Sequence, residues 1–67
     1  MKIYEVFFDH QIEGGREGVF ESLEKAEKFL AEHRRVKLET KRSYMSGSWH
    51  YTSESNLSYS IQETSLS

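Results

Sequence analysis

The sequence contains no cysteine and no proline, and only four of its 67 residues are glycine. The absence of cysteine excludes disulfide bonds and thiolate metal sites. No apolar run approaches the roughly 18 residues of a membrane-spanning helix, and the N-terminal stretch MKIYEVFFDH is too short and too acidic for a signal peptide. We therefore expect a cytoplasmic protein with no membrane partner, whose stability depends on a small apolar core or on self-association.

The sequence also lacks the residue spacings of known catalytic and metal sites. Its three histidines, His10, His33 and His50, are far apart, and no pair has the spacing of metal ligands on one helix or strand. Asp9 and His10 would become a ligand pair only if His50 folded beside them. There is no G-x-S-x-G elbow, and the glycine-rich segment 14–18 lacks the Lys-Ser/Thr ending of a phosphate loop. We expect no metal, no cofactor and no enzymatic activity.

Charge is unevenly distributed along the chain. The formal net charge of −2 and the sequence pI near 5.9 argue against a dedicated nucleic-acid binder, which is more often basic. Residues 34–42 nevertheless carry five cations: Arg34, Arg35, Lys37, Lys41 and Arg42. This basic patch could contact nucleic acid or an acidic protein surface. Alternatively, Arg34 and Arg35 complement the negative end of a helix dipole, and the lysines protect an exposed strand edge.

The strongest secondary-structure signal is an amphipathic helix that follows Ser22. Ser22 is a good N-cap, because its hydroxyl can accept a hydrogen bond from a free backbone N–H of the first turn. The apolar stripe has helical spacing and consists of Leu23, Ala26, Phe29, Leu30 and His33. Charged residues fill the opposite face. A helix of about twelve residues is marginal in isolation, so we expect it to bury this stripe on a sheet.

Strand patterns lie on both sides of the predicted helix. Residues 2–9 are rich in β-branched and aromatic side chains on both faces, which predicts a central strand or a strand with one face against a partner. Val19 and Phe20 predict a short second strand after a turn at Gly14 and Gly15. Further strands are predicted at residues 36–40, 49–53 and 59–64, with turns at 44–48 and 53–57. The alternation over residues 36–40 predicts a half-buried strand with Val36, Leu38 and Thr40 on one face.

These patterns predict one α+β domain over residues 1–67, with the element order β-β-α-β-β-β. The helix packs on one face of a small antiparallel sheet. The other face remains open unless a partner covers it.

An aromatic hairpin is the first candidate contact surface. Tyr44, Met45, Trp49 and Tyr51 lie among small polar residues, and Trp, Tyr and Met are enriched at the centres of protein interfaces. We predict a protein-binding surface at these four residues. The alternative is that Trp49 and Tyr51 form the core beneath the helix, and that only Tyr44 and Met45 at the tip make contact.

Parts of the chain resemble a loose group of small phage and bacterial proteins that combine a "VF-S-EKA" helix start with a closing "Y-x-I-x-E" strand. The matching residues are Val19, Phe20, Ser22, Glu24, Lys25, Ala26, Phe29, Leu30, Tyr59, Ile61 and Glu63. This resemblance implies the fold described above and a phage or prophage origin, and it implies no catalytic residues. The stretch 37–57 departs from the pattern, so this protein's individual function is expected there.

The features together favour a small non-enzymatic binding protein that contacts a host protein, as a phage-encoded inhibitor of a bacterial protein or defence system would. One alternative is a nucleic-acid-binding accessory protein that uses the basic patch. Another is a self-associating structural or regulatory module, in which a second copy covers the open sheet face as a homodimer.

Overall fold

The computed structural model describes residues 1–66, and at Tyr44 it describes the backbone alone. Five strands and one helix follow each other as β1 (Lys2–Phe8), β2 (Gly15–Phe20), α1 (Leu23–His33), β3 (Val36–Met45), β4 (Ser48–Ser53) and β5 (Ser58–Ser65). The predicted α+β class and the order β-β-α-β-β-β are confirmed.

The five strands form one sheet in the order β2-β1-β5-β4-β3, and every neighbouring pair is antiparallel. β1 is therefore a central strand, as the aromatic residues on both of its faces predicted. It pairs with β5, with Val6 opposite Ile61 and Phe8 opposite Tyr59, so the two ends of the chain lie side by side. The edges of the sheet are β2 and β3.

The helix begins as the sequence predicts. The Ser22 hydroxyl accepts a hydrogen bond from the backbone N–H of Lys25 at 3.2 Å. At the other end, the Arg34 N–H donates to the Leu30 carbonyl at 3.0 Å, and the chain turns away through Arg35, whose φ is 52°. The eleven residues of α1 are too few to cross a bilayer, and the described part of the chain has no longer helix.

The apolar core lies between α1 and one face of the sheet. Ala26 and Leu30 on the helix are fully buried, as are Val6 and Ile61 on the two central strands. Val36, Tyr51 and Tyr59 complete the buried cluster, and partly buried aromatic rings surround it. The buried residues of one short helix thus form a single core with those of the sheet.

A polar contact also joins the helix to the sheet. The Tyr51 hydroxyl donates a hydrogen bond to Glu27 Oε2 at 2.7 Å, and Lys41 Nζ lies 3.0 Å from the same oxygen. Burial raises the pKa of the Tyr51 hydroxyl above its ordinary value, and the bond to Glu27 raises this pKa further. A helix carboxylate is therefore held by two side chains from adjacent strands.

Replacing Tyr51 with Phe should lower the free energy of unfolding by about 1–3 kcal/mol, because a partly buried carboxylate loses its hydrogen-bond donor. Tyr59→Phe is the matched control. Tyr59 is the buried cross-strand neighbour of Tyr51, and its hydroxyl has no hydrogen bond within residues 1–66. Urea denaturation of both variants measures the difference, and equal losses would show that the contact with Glu27 contributes nothing.

The same substitution should change the dependence of stability on pH. The pKa of Tyr51 is higher in the folded chain than in the unfolded chain. Its contribution to stability is therefore complete below about pH 10 and declines as the pH rises further. Above about pH 10, the stability of the Tyr51→Phe variant should decline less steeply than that of the wild type.

Candidate functional site

The structure separates the four residues of the predicted aromatic surface. Met45 is 71% exposed at the end of β3, whereas Tyr51 is only 2% exposed. The ring of Trp49 is partly buried beside Tyr4, with 6.3 Å between the ring centroids. The side chain of Tyr44 lies outside the described residues. Tyr51 thus lies in the core, as the alternative interpretation held, and Met45 is the most exposed of the three described side chains in this predicted surface.

The predicted basic patch is also divided. The Arg34 guanidinium donates to Glu17 at 2.8 Å and lies over the ring of Phe29. Lys41 pairs with Glu27, and its ammonium lies 5.7 Å from the centroid of the Trp49 ring. These two cations therefore take part in the molecule's own contacts, on the helix side of the sheet. The other three residues of the patch, Arg35, Lys37 and Arg42, are exposed.

Lys37 and Arg42 are brought together by an irregularity in β3. Lys37 lies opposite Thr52 and Arg42 lies opposite His50. The five-residue step along β3 therefore matches a two-residue step along β4. In a regular strand, residues five apart point to opposite faces and lie about 16 Å apart. Because of the three extra residues, Lys37 and Arg42 instead share the face of the sheet that α1 does not cover.

The Thr40 hydroxyl forms hydrogen bonds with backbone groups of both β3 and β4 at this bulge. Its hydroxyl accepts a hydrogen bond from the Thr52 N–H at 2.8 Å and donates to the Lys37 carbonyl at 2.6 Å. A side chain thus replaces the backbone partner that Thr52 would have had in a regular ladder. β-bulges with such defined partners re-aim side chains and occur often beside functional sites.

The bulge makes one prediction about the faces of β3 wrong. Alternation over residues 36–40 placed Val36, Leu38 and Thr40 on one half-buried face. In the structure only Val36 is buried, and Leu38 is 37% exposed. The reason is that the regular ladder with β4 stops after Lys37, so the residues that follow no longer alternate between the two faces.

A groove of about 570 Å³ lies beside the bulge. We call it the bulge groove. Its lining residues that point away from α1, according to the strand register, are Lys37, Arg42, His50, Thr52 and Ser58. Asn56, in the turn between β4 and β5, lines it as well, and so does Glu39. No carboxylate within residues 1–66 lies within 4.0 Å of Lys37 or Arg42. The groove therefore combines these two cations with one carboxylate, Glu39, and several neutral hydrogen-bonding groups.

Asp9, His50 and Ser60 form a small polar cluster next to the groove. His50 Nδ1 lies 3.8 Å from Asp9 Oδ2, and the Ser60 hydroxyl donates to Asp9 Oδ1 at 3.2 Å. In a nucleophilic triad the serine hydroxyl would instead be bonded to the histidine. Asp9 and His50 do lie together, but the Nδ1 atom of His10 accepts hydrogen bonds from the N–H groups of its own turn. No group of three potential metal ligands occurs among the described residues.

Sequence patterns identified Lys37 and Arg42 as members of a charged patch but missed the polar residues around them. Thr40, Thr52 and Ser58 come from three different strands and Asn56 from a turn, and only the register of β3, β4 and β5 brings them together. The odd spacing of five residues from Lys37 to Arg42 is a weak indication of a bulge in this strand. No sequence pattern indicates the hydrogen bonds of the Thr40 hydroxyl.

Comparison with protein-family models, curated proteins and solved structures gave no match to this chain.

Replacing Thr40 with Val keeps the shape of the side chain but leaves the Thr52 N–H without its acceptor. We expect the free energy of unfolding to fall by about 1–3 kcal/mol and the Thr52 amide to exchange faster with solvent. Thr52→Val is the control, because this isosteric change on the facing strand leaves the Thr40 hydroxyl in place. Unchanged exchange at residue 52 in the Thr40→Val variant would contradict the assigned contact.

Proposed function

We propose that this chain is a small non-enzymatic binding protein that attaches to an acidic surface of a partner protein through the exposed side of β3. The observation that carries this proposal is the pairing of charge and apolar surface on that strand. Lys37 and Arg42 have no intramolecular counterion among the described residues, and Leu38 and Met45 expose 37% and 71% of their surfaces beside them. Lys37, Leu38, Arg42 and Met45 are called the β3 surface below.

The geometry of β3 favours recognition by side chains over strand addition. As an edge strand, β3 could in principle pair with another chain. The bulge after Lys37 and the second irregularity before Met45 interrupt its regular backbone, and lysine on an edge strand opposes pairing. Two copies of β3 would also place like charges close together. These features favour an acidic partner over a second copy of the same strand.

The cations supply selectivity and the apolar side chains supply buried area. Charged groups at an interface steer the encounter and reject like-charged surfaces. Exposed Met adapts to irregular surfaces because its side chain is unbranched and polarisable. A protein that acts in this way works by covering its partner's surface. That mode of action fits an inhibitor of a bacterial host protein or defence system, in line with the resemblance to small phage proteins.

Capture from nuclease-treated bacterial lysate tests this proposal when variants are compared. The wild type and Lys28→Glu should retain the same protein at moderate salt. Lys28 is an exposed helix cation without a described ion pair, so its reversal controls for a charge reversal outside the β3 surface. The double variant Lys37→Glu, Arg42→Glu should lose most of the bound partner, because the charge that selects it is reversed. The Met45→Ala variant should retain less of the partner protein than the Leu57→Ala variant, which truncates an exposed residue outside the β3 surface.

Two results would contradict the proposal. The first is equal retention by the wild type and the double charge reversal. The second is bound material that disappears with nuclease and falls steeply with salt, since that behaviour belongs to a nucleic-acid binder.

A further inference from the structure

We infer that the bulge groove binds a single phosphate group, either inorganic phosphate or a phosphomonoester. This inference depends on the groove alone and does not require the proposed protein partner. It assigns to the uncovered sheet face a small-anion site formed by β3, β4 and the turn that leads to β5.

The strand register arranges the groove as two rows. Lys37, Thr52 and Ser58 lie side by side across three strands, and Arg42 and His50 form the next row. Thr52 and His50 are two residues apart along β4, so the rows are about 7 Å apart. Each row begins with one cation on β3. The groove thus has one cation in each of two neighbouring rows of the uncovered face.

The donors around the groove suit a tetrahedral oxyanion. A phosphate presents oxygens in four directions, so it can accept hydrogen bonds from side chains of both rows and of the turn at once. A carboxylate presents two oxygens in one plane and is satisfied by a single arginine fork. The hydroxyls of Thr52 and Ser58 and the Asn56 amide can bind the remaining oxygens of a phosphate.

The charges around the groove leave a surplus of positive charge. Lys37 and Arg42 share the lining with one acidic residue, Glu39. Lys41 also lines the groove, but its ammonium is paired with Glu27. Asp9 lies beyond His50, at 3.8 Å from its imidazole. The surplus is one unit of charge among the lining residues, which suits a single phosphate group and is too small for an extended polyanion, which needs a continuous track of cations.

Direct titration of the purified protein tests the site. Amide NMR spectra would be recorded with sodium phosphate at constant ionic strength, with sodium chloride as the reference. We expect saturable shifts confined to residues 37, 42, 50, 52 and 58. Lys37→Gln and Arg42→Gln should each weaken binding roughly tenfold, which is the typical effect of losing one charge-assisted bond. The matched control, Lys28→Gln, should leave binding unchanged. Shifts that match those with chloride, or that spread over the helix cations, would overturn the inference.

Two further ligands distinguish the source of the phosphate. Phosphoserine that binds as tightly as inorganic phosphate, while serine does not bind, would identify a phosphomonoester ligand. Binding of inorganic phosphate alone would identify the free ion, and either result supports the site. An oligonucleotide that binds much more tightly than both, with a salt dependence that implies several phosphate contacts, would overturn the assignment of a single phosphate group. Failure of the phosphate titration would not affect the proposed protein partner, because the lysate capture does not depend on phosphate.

Discussion

The fold depends on one short helix covering the apolar face of a five-stranded sheet. Leu30 and Ala26 are the fully buried helix residues, and without them the aromatic face of the strands would lie in water. A chain of this size has little core to spare, so the polar contact from Tyr51 and Lys41 to Glu27 matters more than it would in a larger protein. That contact sets where α1 lies relative to β3 and β4.

The helix covers one face of the sheet only, and the other face carries charged and polar side chains beside the bulge. The bulge in β3 sets the orientation of side chains on both faces of the sheet. It turns Lys41 towards Glu27 on the helix side, and it turns Lys37 and Arg42 outwards on the uncovered side. The same three extra residues therefore strengthen the docking of the helix and create the bulge groove. A regular β3 would give Lys37 and Arg42 opposite orientations, and no paired cationic site would exist.

The parts of the structure that depend on local patterns could be predicted from the sequence. The N-cap at Ser22, the burial of Ala26 and Leu30 and the order of the six elements follow from side-chain periodicity and capping chemistry. His33, the last residue of the predicted apolar stripe, is exposed at the end of the helix. The candidate site could not be predicted in the same way. Its geometry depends on the register between β3 and β4, which is set by the hydroxyl of Thr40 and by packing across distant strands. Tyr51 illustrates the same limit, because its pattern fitted an interface and a core equally well until the helix position was known.

The register of β3 against β4 is the most direct test of this account. Cross-strand NOEs in the free protein would measure it without any variant or ligand. We expect Lys37 to contact Thr52 and Arg42 to contact His50. If the ladder continued without a bulge after Lys37, Glu39 would lie opposite His50 instead. That result would contradict the paired cations, the bulge groove and the function proposed for the β3 surface.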